Sequence, residues 1–328
     1  MKKILLGILA VVVLVIGGAA IFLGTKSPAY RPAPDLKVES TPEQIERGRY
    51  LVENVANCLH CHSQLDETKY GMPIKEATKG AGGRCFTHET GFPGNMCAKN
   101  ITPHPEHGLG KWTDGEISRA IREGVDKQNQ PIFPLMPYTN YRHMSDEDTS
   151  AMIAYLRSLP PVAGQWPDRV LDFPLPIVVK FQPQPITAAV AAPDKSNTVA
   201  YGRYLINVAG CETCHTPVDA QHQPLPGMAF AGGQVFPLKP GAAVVSSNIT
   251  MHETGLGNRT RENFIAMFRA YASPESHNVA ADSGKNTVMP WLGMSGMTDE
   301  DLGAIYDYLK TVPPVANKVE KFAATPPT

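Results

Sequence analysis

The 328 residues contain only six cysteines and three tryptophans, and no charge of either sign is in excess: 30 basic side chains stand against 31 acidic ones. So few cysteines in a chain of this length exclude a small disulfide scaffold. A balance near zero leaves no field to gather a polyanion by counterion release, so nucleic acid is excluded as a partner. Nowhere do apolar and polar residues alternate for long enough to predict a substantial sheet. Glycine (28) and proline (30) are plentiful, but without the period of a fibre. They predict short helices joined by structured loops.

One long apolar run is present. After Lys2 and Lys3, the 21 residues from Ile4 to Gly24 carry no charge, enough at about 1.5 Å per residue to cross a bilayer core of about 30 Å. The run exceeds the roughly 7–15 residues of a signal-peptide core and lacks a clean small-x-small site, although Gly17-Gly18-Ala19-Ala20 leaves cleavage open. Residues 1–26 are read as a retained anchor in the inner (cytoplasmic) membrane. The lysine pair holds the N-terminus in the cytoplasm, which puts everything after Lys26 on the periplasmic side. Residues 27–40, with Pro28, Pro32 and Pro34, are read as a spacer.

The remainder repeats itself. CLHCH at 58–62 returns as CETCH at 211–215, MPYTNYRHMSDED from Met136 as MPWLGMSGMTDED from Met289, and SLPPV at 158–162 as TVPPV at 311–315, each displaced by 153 residues. AGG (81–83 and 231–233), NIT (100–102 and 248–250) and GLG (108–110 and 255–257) recur in the same order at displacements of 147–150. Copies of roughly 120 residues are large enough to hold a core, so a whole domain is duplicated. The boundaries predicted are 41–162 and 197–315, with a proline-interrupted connector at 163–196 that packs along one domain and a tail at 316–328. Helix signals recur in both copies. Thr41-Pro42-Glu43-Gln44 reads as a capping box, Ile117, Ala120 and Ile121 match Phe264, Met267 and Phe268 as a buried face, and the last helix opens at Ser145 or Thr298 and stops before Pro160 or Pro313. The fold class expected is mainly α.

CxxCH sets two thiols one helical turn apart with a histidine beside the second. That offset reaches two vinyl groups along one edge of a haem, and the imidazole then faces the iron. Zinc usually takes two nearby pairs of ligands, and a redox dithiol needs a βαβ context; neither pattern is visible. Covalent haem c is therefore expected twice, at Cys58, Cys61 and His62 and at Cys211, Cys214 and His215. A second axial ligand is expected from Met136 and Met289, each 74 residues after its histidine and each followed by proline. A neutral thioether favours ferrous iron and raises the potential. Met144 and Met297, eight residues later, are the rival ligands, and His143 could compete for the first iron. Cys85 and Cys97 remain, in a glycine-rich loop with no cysteine in the matching stretch of the second copy. A disulfide is their expected use, with a stabilisation on the order of 3 kcal/mol from loop closure. Arg49 and Arg203, in the matched GRYL segments, read equally well as propionate partners or as solvated helix residues.

These segments, GRYLV, CxxCH, AGG, NIT, GLGKWT and MPYTNYRHMSDED followed by AYLRSLPPV, resemble the cytochrome c subunits of membrane-bound alcohol, aldehyde and gluconate dehydrogenases over residues 41–315. The resemblance implies two class I cytochrome c-like domains, each with one haem c, in an electron carrier rather than an enzyme. It implies a periplasmic dehydrogenase or other donor, and an oxidase, quinone or soluble cytochrome as acceptor. Family subunits usually carry three haems, whereas this chain has two CxxCH motifs. A dihaem cytochrome c peroxidase is the alternative, and it would need one iron able to open and unlike distal sides. Here both copies keep Met-Pro.

Overall fold

The structure is a computed structural model and describes residues 2–239, 242–282 and 285–323; Met1 of the expected anchor and residues 324–328 of the expected tail lie outside the described residues. Helix α1 (Lys2–Thr25) is unbroken, and its apolar length is unburied; only its C-terminal end touches the rest of the chain. By length and composition it can cross a membrane or serve as a signal sequence. Residues 27–40 are not a free spacer. They lie along α4 (Asp114–Glu123) because the buried polar groups there need partners: Arg31 pairs with Glu123 at 2.8 Å, Arg119 donates to the Arg31 carbonyl at 2.9 Å, and the Val38 N–H donates to Asp114 at 2.9 Å.

Both copies of the repeat follow one order of elements. The first has α2 (Pro42–Tyr50), a π-helical turn (Leu51–Val55), α3 (Cys58–Cys61), strands β1 (Cys85–Phe86) and β2 (Gly94–Cys97), then α4, α5 (Tyr138–Tyr141) and α6 (Asp146–Ser158). The connector contributes β3 (Val170–Leu171) and α7 (Leu175–Val178). The second copy has α8 (Thr198–Ala209), α9 (Cys211–His215), β4 (Val235–Lys239), β5 (Ala242–Val245), α10 (Arg261–Arg269), α11 (Trp291–Met294) and α12 (Asp299–Leu309), and β6 (Phe322–Ala323) follows. The protein is mostly helical. Two antiparallel sheets, ordered β1-β2-β3 and β4-β5-β6, escaped the sequence reading because strands of two to five residues are too short to show alternation. The last strand of the first sheet comes from the connector, and that of the second from the segment after Val315.

Capping follows the sequence signals with one exception. The hydroxyls of Thr41, Ser145 and Thr298 each accept the N–H three residues on. Gln44, however, does not return to Thr41; its buried Oε1 has no partner, so the first box is half formed. The GRYL segments are displaced by 154 residues and the CxxCH motifs by 153, so the first copy holds one extra residue between them. The π-helical turn absorbs it: the Ala56 N–H reaches back five residues to the Leu51 carbonyl, where α8 runs on as plain α-helix.

The first and last helices of each copy cross at a glycine. A Cβ on Gly48 would lie 1.9 Å from the Ala151 carbonyl oxygen, and one on Gly202 would lie 1.9 Å from that of Ala304, so α2 meets α6 and α8 meets α12 backbone to backbone. Buried apolar residues from both copies then form one continuous cluster, including Leu51, Val55, Met152 and Ile153 with Leu205, Ile206, Leu302 and Leu309. The copies are also latched reciprocally. Tyr50 donates to Asp301 at 2.7 Å and accepts from the Thr298 N–H at 3.2 Å; Tyr204 donates to Asp148 at 2.6 Å and accepts from the Ser145 N–H at 3.2 Å. Burial and the neighbouring carboxylate hold both phenols well above the usual tyrosine range, so they stay protonated donors.

Gly202→Ala is expected to lower the unfolding free energy by about 1–3 kcal/mol, since helix backbones cannot part without opening the core. Tyr204→Phe is expected to cost about 1–3 kcal/mol through the buried Asp148 it abandons. Guanidinium denaturation followed by circular dichroism measures both, and changes within about 0.5 kcal/mol of the parent would be those of an ordinary surface site.

Candidate haem sites

Each CxxCH turn is entered through a left-handed residue, Asn57 (φ 50°) in the first copy and Gly210 (φ 69°) in the second. Glycine adopts that conformation freely, and asparagine is among the few side chains that tolerate it. The turn redirects the chain off the first helix and sets Cys58 and Cys61, or Cys211 and Cys214, on one helical turn. None of the four is in a disulfide. Burial pushes the Cys58 and Cys211 thiols up to about 12. Burial of the sulfur and, further, the neighbouring Cys61 raise the Cys214 thiol above its ordinary value.

The histidines are held from two directions. The Nδ1 of His62 lies 2.7 Å from the Lys99 carbonyl, and that of His215 lies 2.7 Å from the Ser247 carbonyl. A carbonyl can only accept, so each Nδ1 carries the proton and each Nε2 keeps a free lone pair, the state an iron ligand requires. Burial lowers both imidazoles towards this neutral form. The main chain is tied as well: the N–H groups of Gly82 and Gly232, the first glycine of each AGG, donate to the His62 and His215 carbonyls at 2.8 and 2.6 Å. Next to the histidines, Ser63 and Thr216 accept from the N–H groups of Gly80 and Phe230 at 3.1 and 3.0 Å.

The loops that supply these carbonyls are pinned by the NIT asparagines. The Asn100 amide donates to the Val162 carbonyl at 2.7 Å while its oxygen accepts from Thr102; Asn248 does the same to the Val315 carbonyl at 2.8 Å and Thr250. In the first copy Cys85 and Cys97 are joined as a disulfide between facing residues of β1 and β2. The second copy has a longer hairpin in its place.

Met136 and Met289 sit just before α5 and α11, partly buried against the edge of the shared core. Met144 and Met297 are 0% and 1% exposed, each enclosed in the core immediately before the cap of the last helix. His143 is exposed and lines a crevice of about 560 Å³ with Arg203, Asn207 and Thr213, facing the second CxxCH turn. His60 turns to Arg84, which donates to its Nδ1 at 3.0 Å, and burial beside that guanidinium pushes it down to about 3. Arg49 is engaged by Glu46 at 2.6 Å, whereas Arg203 stands exposed on the crevice. Among the described residues, no three His, Cys, Asp or Glu side chains come together as a metal cluster. Two thiols on one turn beside an imidazole with a free Nε2 match the donor set of haem c, and the residues fit that group at both places. The carbonyls of Lys99 and Ser247 were missed in the sequence because a backbone acceptor leaves no mark on residue type. Their one signal is position, directly before each NIT.

The family model for cytochrome c matches residues 45–160. The chain is 29% identical over 87% of its length to the cytochrome c subunit of a quinone-dependent alcohol dehydrogenase from Gluconacetobacter polyoxogenes, and 30% identical over 82% to the gluconate 2-dehydrogenase cytochrome c subunit of Pantoea cypripedii. It spans 59% of the length of each. It is also 28% identical over 92% of its length, and 96% of the relative's, to a dihaem cytochrome c-type protein of Cereibacter sphaeroides. Both dehydrogenase relatives are cytochrome c subunits, and these matches give the peroxidase alternative no support.

Asn248→Ala is expected to cost about 1–3 kcal/mol, because the buried Thr250 N–H and the Val315 carbonyl lose their partner together; Asn100→Ala should cost a similar amount. Thermal unfolding of the two variants beside the parent checks this, and unchanged midpoints would mean that the loop is held elsewhere.

Proposed function

Residues 45–160 are a cytochrome c domain, and on that premise we propose that the chain is a dihaem electron-transfer subunit with two class I-like domains, 41–162 and 197–315. Cys58, Cys61 and His62, and Cys211, Cys214 and His215, would each hold one haem c, with Met136 and Met289 as the second side-chain ligands to iron. The observation that carries this reading is the matched tether of both histidines, which leaves Nε2 free beside two thiols in each copy.

When bound, haem supplies a one-electron couple. The residues of the chain supply its setting. The four thiols hold it covalently, and the carbonyls of Lys99 and Ser247 keep each imidazole neutral and oriented. The partly buried thioethers of Met136 and Met289 are available to the distal side, while Met144 and Met297 are spent in packing. His62 with Met136, and His215 with Met289, would fill the ligand positions of a bound haem iron and leave none for a substrate, a setting for electron relay rather than conversion. Helix α1, retained as the anchor, holds the haem domains on the periplasmic face of the inner membrane. There the subunit accepts electrons from a periplasmic dehydrogenase and passes them to an oxidase, quinone or soluble cytochrome.

The ferric protein is expected to show a methionine-to-iron charge-transfer band equivalent to two haems and no reaction with peroxide; one high-spin, peroxide-reactive haem would overturn the relay. Met289→Ala should abolish half of that band and lower the second potential, whereas Met297→Ala should leave both in place. The reverse outcome would transfer the ligand to Met297.

A further inference from the structure

Outside α1, ten large apolar side chains stand exposed among the described residues, and four of them, Val170, Phe173, Val178 and Phe181, fall within twelve residues of the connector. Phe173 is 83% exposed and Phe181 48%. Single apolar residues on a surface need no explanation, but a cluster marks a contact.

The same stretch is fastened to the end of α1. Lys180 donates its ammonium to the Gly24 carbonyl at 3.0 Å and the Leu23 carbonyl at 3.4 Å, satisfying groups that have no partner within the helix. Lys26 lies 5.9 Å from the centre of the Phe181 ring. The uncharged run ends at Gly24, so residues 23–26 mark the edge of the hydrocarbon core. The headgroup layer beyond it is roughly 5–7 Å deep. Side chains that touch residues 23–26 therefore lie within that layer. Residues 27–40, strapped along α4, leave no slack to lift the first domain away.

From this geometry we infer that residues 170–181 form a second membrane contact: Phe173, Val178 and Phe181 enter the headgroup region of the bilayer that α1 crosses, with Lys26 and Lys180 at the level of the lipid phosphates. Aromatic and apolar side chains rimmed by lysine favour that layer. Continuity with the span selects lipid over a protein partner. Two attachments set the tilt of the haem domains, which one helix alone would leave free. The inference rests on α1 being a retained span.

The test uses the full haem-loaded chain with Phe173→Cys or, in a loop of the second domain, Gln221→Cys. Each is then the single free thiol, labelled with a nitroxide in phosphatidylcholine–phosphatidylglycerol vesicles. The label at 173 is expected to be several-fold less accessible to a water-soluble nickel chelate than that at 221, and more accessible to oxygen. Equal accessibility in a chain whose mass includes α1 overturns the surface contact and leaves the anchor standing. A mature chain lacking α1 overturns the anchor itself. Protection that arises only when a dehydrogenase is added overturns the lipid contact in favour of a protein one.

Discussion

Each copy of the repeat is closed by one constraint, the glycine of its first helix set against a carbonyl of its last. Backbones can meet there only because Gly48 and Gly202 have no Cβ to intervene between them and Ala151 or Ala304. The crossing fixes the end of the first helix, and with it the left-handed residue and the CxxCH turn that follow. It also brings Tyr50 and Tyr204 to the one edge from which each reaches the opening of the other copy's last helix. Closure within a copy and attachment between copies thus share the same few residues, which is why the buried cluster runs through both without a break.

Around each histidine the loops are organised by backbone groups. AGG ties its main chain, the residue before NIT ties its ring, and the NIT asparagine ties that loop to the segment after the last helix. A ring held this way loses its freedom to rotate or to change tautomer, which suits an iron ligand that must not reorganise as the charge on the metal changes. The copies reach this arrangement by different means. The first stiffens its hairpin with Cys85–Cys97 and absorbs an extra residue in a π-helical turn, while the second lengthens the hairpin and keeps a plain helix.

The two ends of the chain are used differently from what their composition suggests. Residues 27–40 have the prolines of a spacer, yet Arg119 and Glu123 are buried and draw them onto α4. Past Val315 the chain adds a strand to the second sheet, as the connector does to the first. Neither pairing follows from local propensity, because a two-residue strand takes its stability from the neighbour it joins.

What the sequence determined by itself was motif and spacing: the two CxxCH segments, the 153-residue displacement, the caps and the apolar stripes are properties of residue type and order. The helices at 114–123, 146–158, 261–269 and 299–309 were legible for the same reason. Only the tertiary structure decided which groups meet. The carbonyls of Lys99 and Ser247, the crossed Tyr–Asp latches, the enclosure of Met144 and Met297 and the joining of Lys180 to the end of α1 all depend on distant segments coming together. A carbonyl is present in every residue and burial depends on neighbours far away in the chain, so neither is written in the identity of the residue that provides it.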